Sequence, residues 1–514
     1  MPQGLDLPGF YYDAEKNRYF PIKGPIPGTS RPRIPTTSTQ NPLSNSTQPA
    51  KFSWTGERTS KLLQVRELNG NVLSLSKRKC KFMEEFQKKL ASQPMVLKYQ
   101  GTGHRADAAL QPVRVKLYTT TGQKETDAVL VGSVNGTLSL FGVGKVGFGY
   151  GINFLPDLVW PQVKENKAES YKAAEHIGIR EGASILMSSS LSSIKLPRKS
   201  SSCELDDDFN CRRAVVTTLG SETSGGAIYV LSLDDPFEFS SSSFSIGQRM
   251  TQVASFNCTI WTADCDSSAS KAVVGTNLGA AMVNLETGST SWVCRGKSDV
   301  FAQQLDDSGK VILCGLRNGA IMTVDVRERP QGSARRLIRH RIPYSPFRRT
   351  VKNTNKQWFE LSGNICPART AFMPSSISSL VSLHFYDQYF LASAMDGSVM
   401  LYDHRLTKRG PLQSYEGHAN SHTRIQLAVD QSERFVMAGG EDCNLCIWSI
   451  KSGELLFQEK VSNSVPSTAS WRLVERLSRK PDEEQSQNEL QFAESLRWEA
   501  WFGSRDGLYH MHWP

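Results

Sequence analysis

Seven stretches of the sequence share one plan: an apolar strand, small residues, a turn usually carrying Asn-Gly or Asp-Gly, and a second apolar strand. They are VLVGSVNGTLSLF (129–141), VVTTLGSETSGGAIYVL (215–231), AVVGTNLGAAMVNL (272–285), VILCGLRNGAIMTVD (311–325), FLASAMDGSVMLYD (390–403), FVMAGGEDCNLCIWS (435–449) and AWFGSRDGLYHMHW (500–513). Asn-Gly and Asp-Gly suit a type I′ hairpin turn, whose two central residues both need positive φ. The second copy has a longer turn, and the sixth carries Cys443 where the others have Gly. No such hairpin can bury its apolar face alone, whereas a closed ring of them buries each against the next.

The turn residues at 136, 226, 279, 319, 397, 443 and 507 are separated by 90, 53, 40, 78, 46 and 64 positions. The shortest gaps match the roughly 40–45 residues of a four-stranded propeller blade. The longer gaps then hold insertions near 155–210 and 329–370. The expected fold is all-β, a propeller over residues 113–514 with about seven blades; six or eight satisfy the same spacing. A ring of repeats also explains how 514 residues make one large domain.

The N-terminal part differs. Residues 1–22 contain LPGFYYDAEKNRYFPI, an aromatic motif with Tyr11, Tyr12 and Tyr19 that reads as a small hairpin or docking peptide. Residues 23–56 are rich in Pro, Ser and Thr, too poor in large apolar groups to offset chain entropy, and read as a disordered linker. Over 57–92, Leu62, Leu63, Val65, Phe82, Met83, Phe86 and Leu90 recur near helical spacing, which predicts a helix–loop–helix. Thr59 and Ser76 are its candidate N-caps and Gly70 the stop of its first helix. KRKCK within it is either a nuclear-import patch or a solvated helix face.

Several function classes find no support. No apolar run reaches the roughly 18 residues of a membrane helix, and MPQGLDLPGF lacks the basic start and apolar block of a secretory signal. The ten cysteines lie mostly inside apolar runs, with one isolated C-x-x-C at Cys443 and Cys446, so reduced, buried thiols are expected. No metal site, cofactor or catalytic motif is expected. GVGKVG (142–147) satisfies G-x-G-x-x-G, but FGYGINFLPDLVW after it does not read as the helix a dinucleotide site needs. His510, His512 and Asp506 read as blade residues rather than ligands.

Two signals point to partners. Residues 333–356 carry Arg335, Arg336, Arg339, Arg341, Arg348 and Arg349 with Tyr344 and Phe347 interleaved. Such a stretch is a solvated loop, an anchor for a protein, or a nucleic-acid contact; the net charge of +10 permits the last. The second signal is a repeated Asp-x-Arg: Asp403 and Arg405 follow Tyr402 in one copy, and Asp325 and Arg327 follow Val324 in the preceding copy. Equivalent arginines on adjacent blades would offer guanidinium forks at a fixed spacing.

Gly417-His418 lies thirty residues before Trp448, with Asp442 in the turn between, so the chain resembles the WD40 repeat proteins over about 400 residues. In that family His, Asp, a strand Ser/Thr and Trp share a buried hydrogen-bond network. Here Gly439 or Gly440 stands at the Ser/Thr position and Ser449 follows Trp448, so the network is incomplete. LASAMDGSVMLYDHR further resembles the WDxR box by which WD40 substrate receptors dock on damaged-DNA-binding protein 1, the adaptor of cullin-4 RING ubiquitin ligases. With the aromatic N-terminal motif it resembles the cullin-4-associated factor 4 branch of those receptors. The resemblance implies a non-catalytic receptor whose adaptor contacts are Tyr402, Asp403 and Arg405, with Asp325 and Arg327 second. It also implies a protein substrate, a nuclear or cytoplasmic setting, and a helical segment that packs on the adaptor. The alternative is a WD40 scaffold in a nuclear RNA or chromatin assembly.

Overall fold

The structure is a computed structural model. It describes residues 10–13, 18–21, 82–119, 122–145, 153–161, 177–197, 213–221, 223–237, 244–306, 309–327, 335–339, 357–363, 369–474 and 497–513. Residues 1–58 and 59–514 form separate compact units. In the first, Phe10–Asp13 pairs antiparallel with Arg18–Pro21, setting Tyr12 opposite Tyr19 and Tyr11 opposite Phe20.

The second unit is a seven-bladed β-propeller. The first strands of the blades are Ala109–Thr119, Leu191–Lys195, Ile260–Cys265, Val300–Leu305, Ile377–Ser382, Ala428–Val429 and Thr468–Val474. First strands of successive blades lie against one another around the axis, so each is innermost. Between blades 5 and 6, where the sixth first strand is two residues long, Leu391, Val399, Val436 and Trp448 form a shared core instead. Every core cluster spans two neighbouring blades, as with Leu130 of blade 1 and Val216 of blade 2. That is the physical reason the hairpins need the ring: the apolar face of one blade has no other partner.

Closure is made across the chain ends. Met95–Tyr99 pairs with Gly507–His512 and becomes the fourth strand of blade 7. Tyr99 is fully buried, stacks on Trp501 at 5.8 Å, and donates its hydroxyl to the Ile177 carbonyl. The ring therefore takes in residues outside the expected 113–514. Likewise, the expected insertion near 155–210 contains ring strands: Ile177–Leu186 is the fourth of blade 1 and Leu191–Lys195 the first of blade 2. Their short apolar segments lack the Asn/Asp-Gly marker that picks out the other hairpins. The second insertion contributes Arg335–Arg339 and Gln357–Gly363, a hairpin that continues blade 3 outward through Cys294 opposite Gly363.

The turns differ from type I′. In blade 5 the Gly397 amide donates to the Ala394 carbonyl at 3.2 Å, and only Gly397, at φ +84°, has positive φ. This is a type I turn closed by a left-handed residue, the three-residue hairpin with a bulge. Blades 1 and 4 repeat it at Gly136 and Gly319. A Cβ on Gly397 would sit 2.6 Å from the His418 carbonyl oxygen. Blade 6 holds Cys443 in the same conformation at φ +64°, a strained choice for a non-glycine residue.

Gly142 and Gly144 of GVGKVG lie within the strand Thr137–Lys145, paired with Ile177–Leu186. Of the expected helix–loop–helix, Phe82–Ala91 is a helix, with Glu84 and Glu85 in its first turn and Lys88 and Lys89 in its last, as the helix dipole favours. Residues 23–56 and 57–81, with the proposed caps Thr59 and Ser76 and the stop Gly70, lie outside the described residues. No described helix is long and apolar enough to cross a membrane.

Candidate docking face

Strand alternation puts the first-to-second and third-to-fourth loops of every blade on one face of the ring. The second-to-third turns and the crossings between blades occupy the other. Asp325 ends the third strand of blade 4 opposite Val311, and Asp403 ends that of blade 5 opposite Tyr389, the same register position. Both Asp-x-Arg turns therefore leave on the first face, in adjacent blades.

The aspartate has a folding duty in each copy. The Asp403 carboxylate accepts the Arg405 amide at 2.7 Å, and the Asp325 carboxylate accepts the Arg327 amide at 2.9 Å. These are Asx turns, in which a short carboxylate mimics a backbone acceptor. The arginines then diverge. Arg327 folds its guanidinium back onto its own Asp325, Nε to Oδ1 at 3.0 Å and Nη2 to Oδ2 at 2.6 Å, and this fork pulls the Asp325 carboxyl down to about 2. Arg405 is exposed, and among the described residues no carboxylate pairs with its guanidinium.

Tyr402 is not on the surface. It is 1% exposed, stacked on Phe390 at 5.3 Å, with its hydroxyl against Met400 Sδ at 3.3 Å. Register explains this: the residue before the turn aspartate points into the core, as fully buried Val324 does in blade 4. Tyr402 thus anchors the turn from below rather than offering a contact.

Around Arg405 the face carries apolar groups that sequence reasoning missed. Phe385 (71% exposed) and Tyr386 (52%) sit in the first-to-second loop of blade 5, and Leu406 and Leu412 in its third-to-fourth loop. The two loops of this blade thus expose four large apolar side chains on one face. The aromatic loop is held by the neighbouring blade. The Glu433 carboxylate of blade 6 accepts the backbone amides of His384 and, at 3.0 Å, Phe385. The sequence signal was present as two aromatics in VSLHFYDQYF (381–390), but nothing local distinguished them from strand residues.

The helix Phe82–Ala91 is seated on this same face, one blade further on. Lys451 reaches Glu84 at 2.9 Å, Lys88 reaches Glu454 at 3.3 Å, and Arg434 bonds Gln87. Arg434 lies in the first-to-second loop of blade 6, and Lys451 and Glu454 in its third-to-fourth loop. The Trp513 indole donates to the Ala91 carbonyl at 3.2 Å and fixes the C-terminal end. The helix, the aromatic loop and Arg405 thus line one side of the disc.

The basic segment is elsewhere. Arg335, Arg336 and Arg339 lie on the outer hairpin strand of blade 3, opposite Leu361, Glu360 and Gln357. Arg341, Arg348 and Arg349 lie outside the described residues, and Tyr11, Tyr12 and Tyr19 belong to the separate N-terminal unit. On the opposite face, blade 6 replaces the incomplete family network with backbone acceptors. His418 Nε2 donates to the Gly439 carbonyl at 2.8 Å, and the Trp448 indole donates to the Glu416 carbonyl at 2.7 Å. Asp442 instead accepts the Asn444 amide in its own turn. His510, expected to be a blade residue, is fully buried 3.6 Å from Glu499.

The WD domain, G-beta repeat family matches residues 409–449, from the end of blade 5 through the third strand of blade 6. "DDB1- and CUL4-associated factor 4" of Bos taurus is 30% identical over 159 residues, 31% of this chain and 25% of that protein. "DDB1- and CUL4-associated factor 4-like protein 2" of Homo sapiens is 29% identical over 177 residues, 34% of this chain and 36% of that protein. "Target of rapamycin complex subunit LST8" of Saccharomyces cerevisiae is 29% identical over 100 residues, 20% of this chain. The chain thus spans between a quarter and about a third of the length of the factor-4 relatives it matches. Fold and comparisons agree on a seven-bladed propeller that carries a WD, G-beta repeat match at 409–449 and is similar, over part of its length, to the proteins named DDB1- and CUL4-associated factor 4.

Proposed function

We propose that this chain is a non-catalytic substrate receptor of a cullin-4 RING ubiquitin ligase, held on the damaged-DNA-binding protein 1 adaptor by the face that carries Arg405. The single observation that supports this most is the company Arg405 keeps. A guanidinium that is exposed, and without a carboxylate partner among the described residues, shares the loop face of blade 5 with the exposed Phe385 and Tyr386, the face where the helix Phe82–Ala91 is docked. Arg and aromatic side chains are the residues that dominate protein interfaces. The names of the relatives lend the adaptor and the ligase to this reading. In it the opposite face presents a protein target, ubiquitin transfer belongs to other subunits, and the protein works in the nucleus, the cytoplasm or both.

The test is binding of the full-length chain to purified adaptor by surface plasmon resonance. Arg405→Ala combined with Phe385→Ala is expected to abolish measurable binding while leaving the thermal melt in place. Wild-type affinity in that variant would sink the reading.

A second reading rests on the arginines of the outer hairpin of blade 3: a scaffold for RNA or chromatin. Binding to single-stranded RNA that weakens steeply with salt and is lost on neutralising Arg335, Arg336 and Arg339 would favour it.

A further inference from the structure

The axis of the ring holds a cavity of about 180 Å³, lined by the innermost strands of blades 1 to 7 and by the crossing that leads into blade 6. Its walls carry hydroxyls and amides such as Ser193, Thr262, Gln303 and Ser470. Among the described residues that line it there is no Asp or Glu, and there are two cations, Lys195 and Arg424. A polar cavity whose only charges are positive carries a field that favours anions.

Arg424 is the unusual group. It precedes the first strand of blade 6, on the face opposite the Asp-x-Arg turns, and stretches across the axis toward blade 2. Among the described residues its guanidinium makes one hydrogen bond, Nη1 to the Ser192 carbonyl at a long 3.5 Å. Its Nε is closed off from solvent and has no partner. Burial pulls its pKa down to about 10, with no neighbouring carboxylate to oppose that shift, so it stays charged at neutral pH. The side chain as a whole is half-buried at the cavity wall, so its cation is partly stripped of water and has no counter-charge among the lining residues. A planar fork with spare donors is also the geometry that grips an oxyanion in two places. A second unpaired buried atom, Gln303 Oε1, belongs to a residue of the same wall. The Gln303 amide nitrogen lies 3.9 Å from Cys314 Sγ on the paired strand, so this side chain packs within the sheet rather than serving as a ligand.

We propose that the channel mouth at Arg424 is a binding site for a small oxyanion of the phosphate class, with the Arg424 guanidinium as its principal ligand. The site lies on the far side of the disc from the docking face, and the proposal does not depend on the adaptor.

The test uses the full-length chain in phosphate-free chloride buffer, titrated with inorganic phosphate at constant ionic strength. Melting temperature and ³¹P line width are followed for the wild type and for Arg424→Met. The wild type is expected to gain a few degrees and to broaden the phosphate resonance. Arg424→Met should show neither, and without phosphate it should melt at or above the wild type, having shed a half-buried charge that has no counter-charge. Preferential exclusion of phosphate raises both proteins equally, so an equal response in wild type and variant overturns the proposal, as does no response in either. A drop of more than about 5 °C for Arg424→Met in chloride alone also overturns it, because the guanidinium would then be a structural strut.

Discussion

At the residue scale, one sequence pattern does different jobs in two copies. Asp403 and Asp325 both close an Asx turn, but Arg405 is exposed and has no carboxylate partner among the described residues, while Arg327 is clasped by its own aspartate. Arg405→Ala is therefore expected to weaken adaptor binding about tenfold, roughly 1.4 kcal/mol, and Arg327→Ala less than threefold, as read by plasmon resonance. Recruiting Arg327 would first break a surface fork that is itself worth under about 1 kcal/mol. On the opposite face Glu441 supplies a pH test. Burial pushes its carboxyl up, but bonds from the Ser421 and Thr423 hydroxyls and the His422 and Thr423 amides outweigh that and bring it to about 2. A folded-state pKa below the unfolded value near 4.3 gives stability that is present above that value and fades as pH falls toward 2. Calorimetry should find Glu441→Gln less stable than the wild type at pH 7 by about 1–3 kcal/mol, with the gap closing between pH 5 and pH 2.

At the element scale, the loop His384-Phe385-Tyr386 depends on a side chain from the next blade. Glu433→Ala removes the acceptor of two backbone amides. It is expected to cost adaptor affinity through disorder of the aromatic loop, visible as faster amide exchange at 384–386. Unchanged exchange would show that the loop holds itself. The helix Phe82–Ala91 poses a similar dependence, since its charged contacts with Arg434, Lys451 and Glu454 come from loops some 350 residues distant. Its helicity was legible from the spacing of Phe82, Phe86 and Leu90, and its seat was not, because exposed ion pairs leave no periodic trace in sequence. The turns gave a related lesson. Asn/Asp-Gly marked the hairpins of blades 1, 4, 5 and 7, but the dipeptide suits two turn geometries and does not say which forms; at blade 5 the His418 carbonyl lies against Gly397, where φ is positive.

For the whole molecule, the ring stands or falls with the strand Met95–Tyr99, which clasps the C-terminal blade. Tyr99→Ala removes a fully buried ring stacked on Trp501. It should cost about 3–5 kcal/mol, read as a fall in the midpoint of urea unfolding; a loss under 1 kcal/mol would mean that the clasp is not what closes the ring. The central hairpin of each blade was legible in the residues, while several of the flanking strands were not. Alternation, turn residues and spacing are local consequences of burying one apolar face per strand pair, so hairpins with Asn/Asp-Gly turns and the turn aspartates were readable from one segment at a time. Tertiary structure alone decided that Tyr402 is core, that Arg327 is clasped by Asp325 while Arg405 is exposed, and that residues 95–99 complete blade 7. It also decided that Arg424 lies in the axial channel. For Arg424 and for residues 95–99, closure of the ring brings together groups hundreds of residues apart; for Tyr402 and Arg327 the register of the strand and the geometry of the turn decided which way each side chain points.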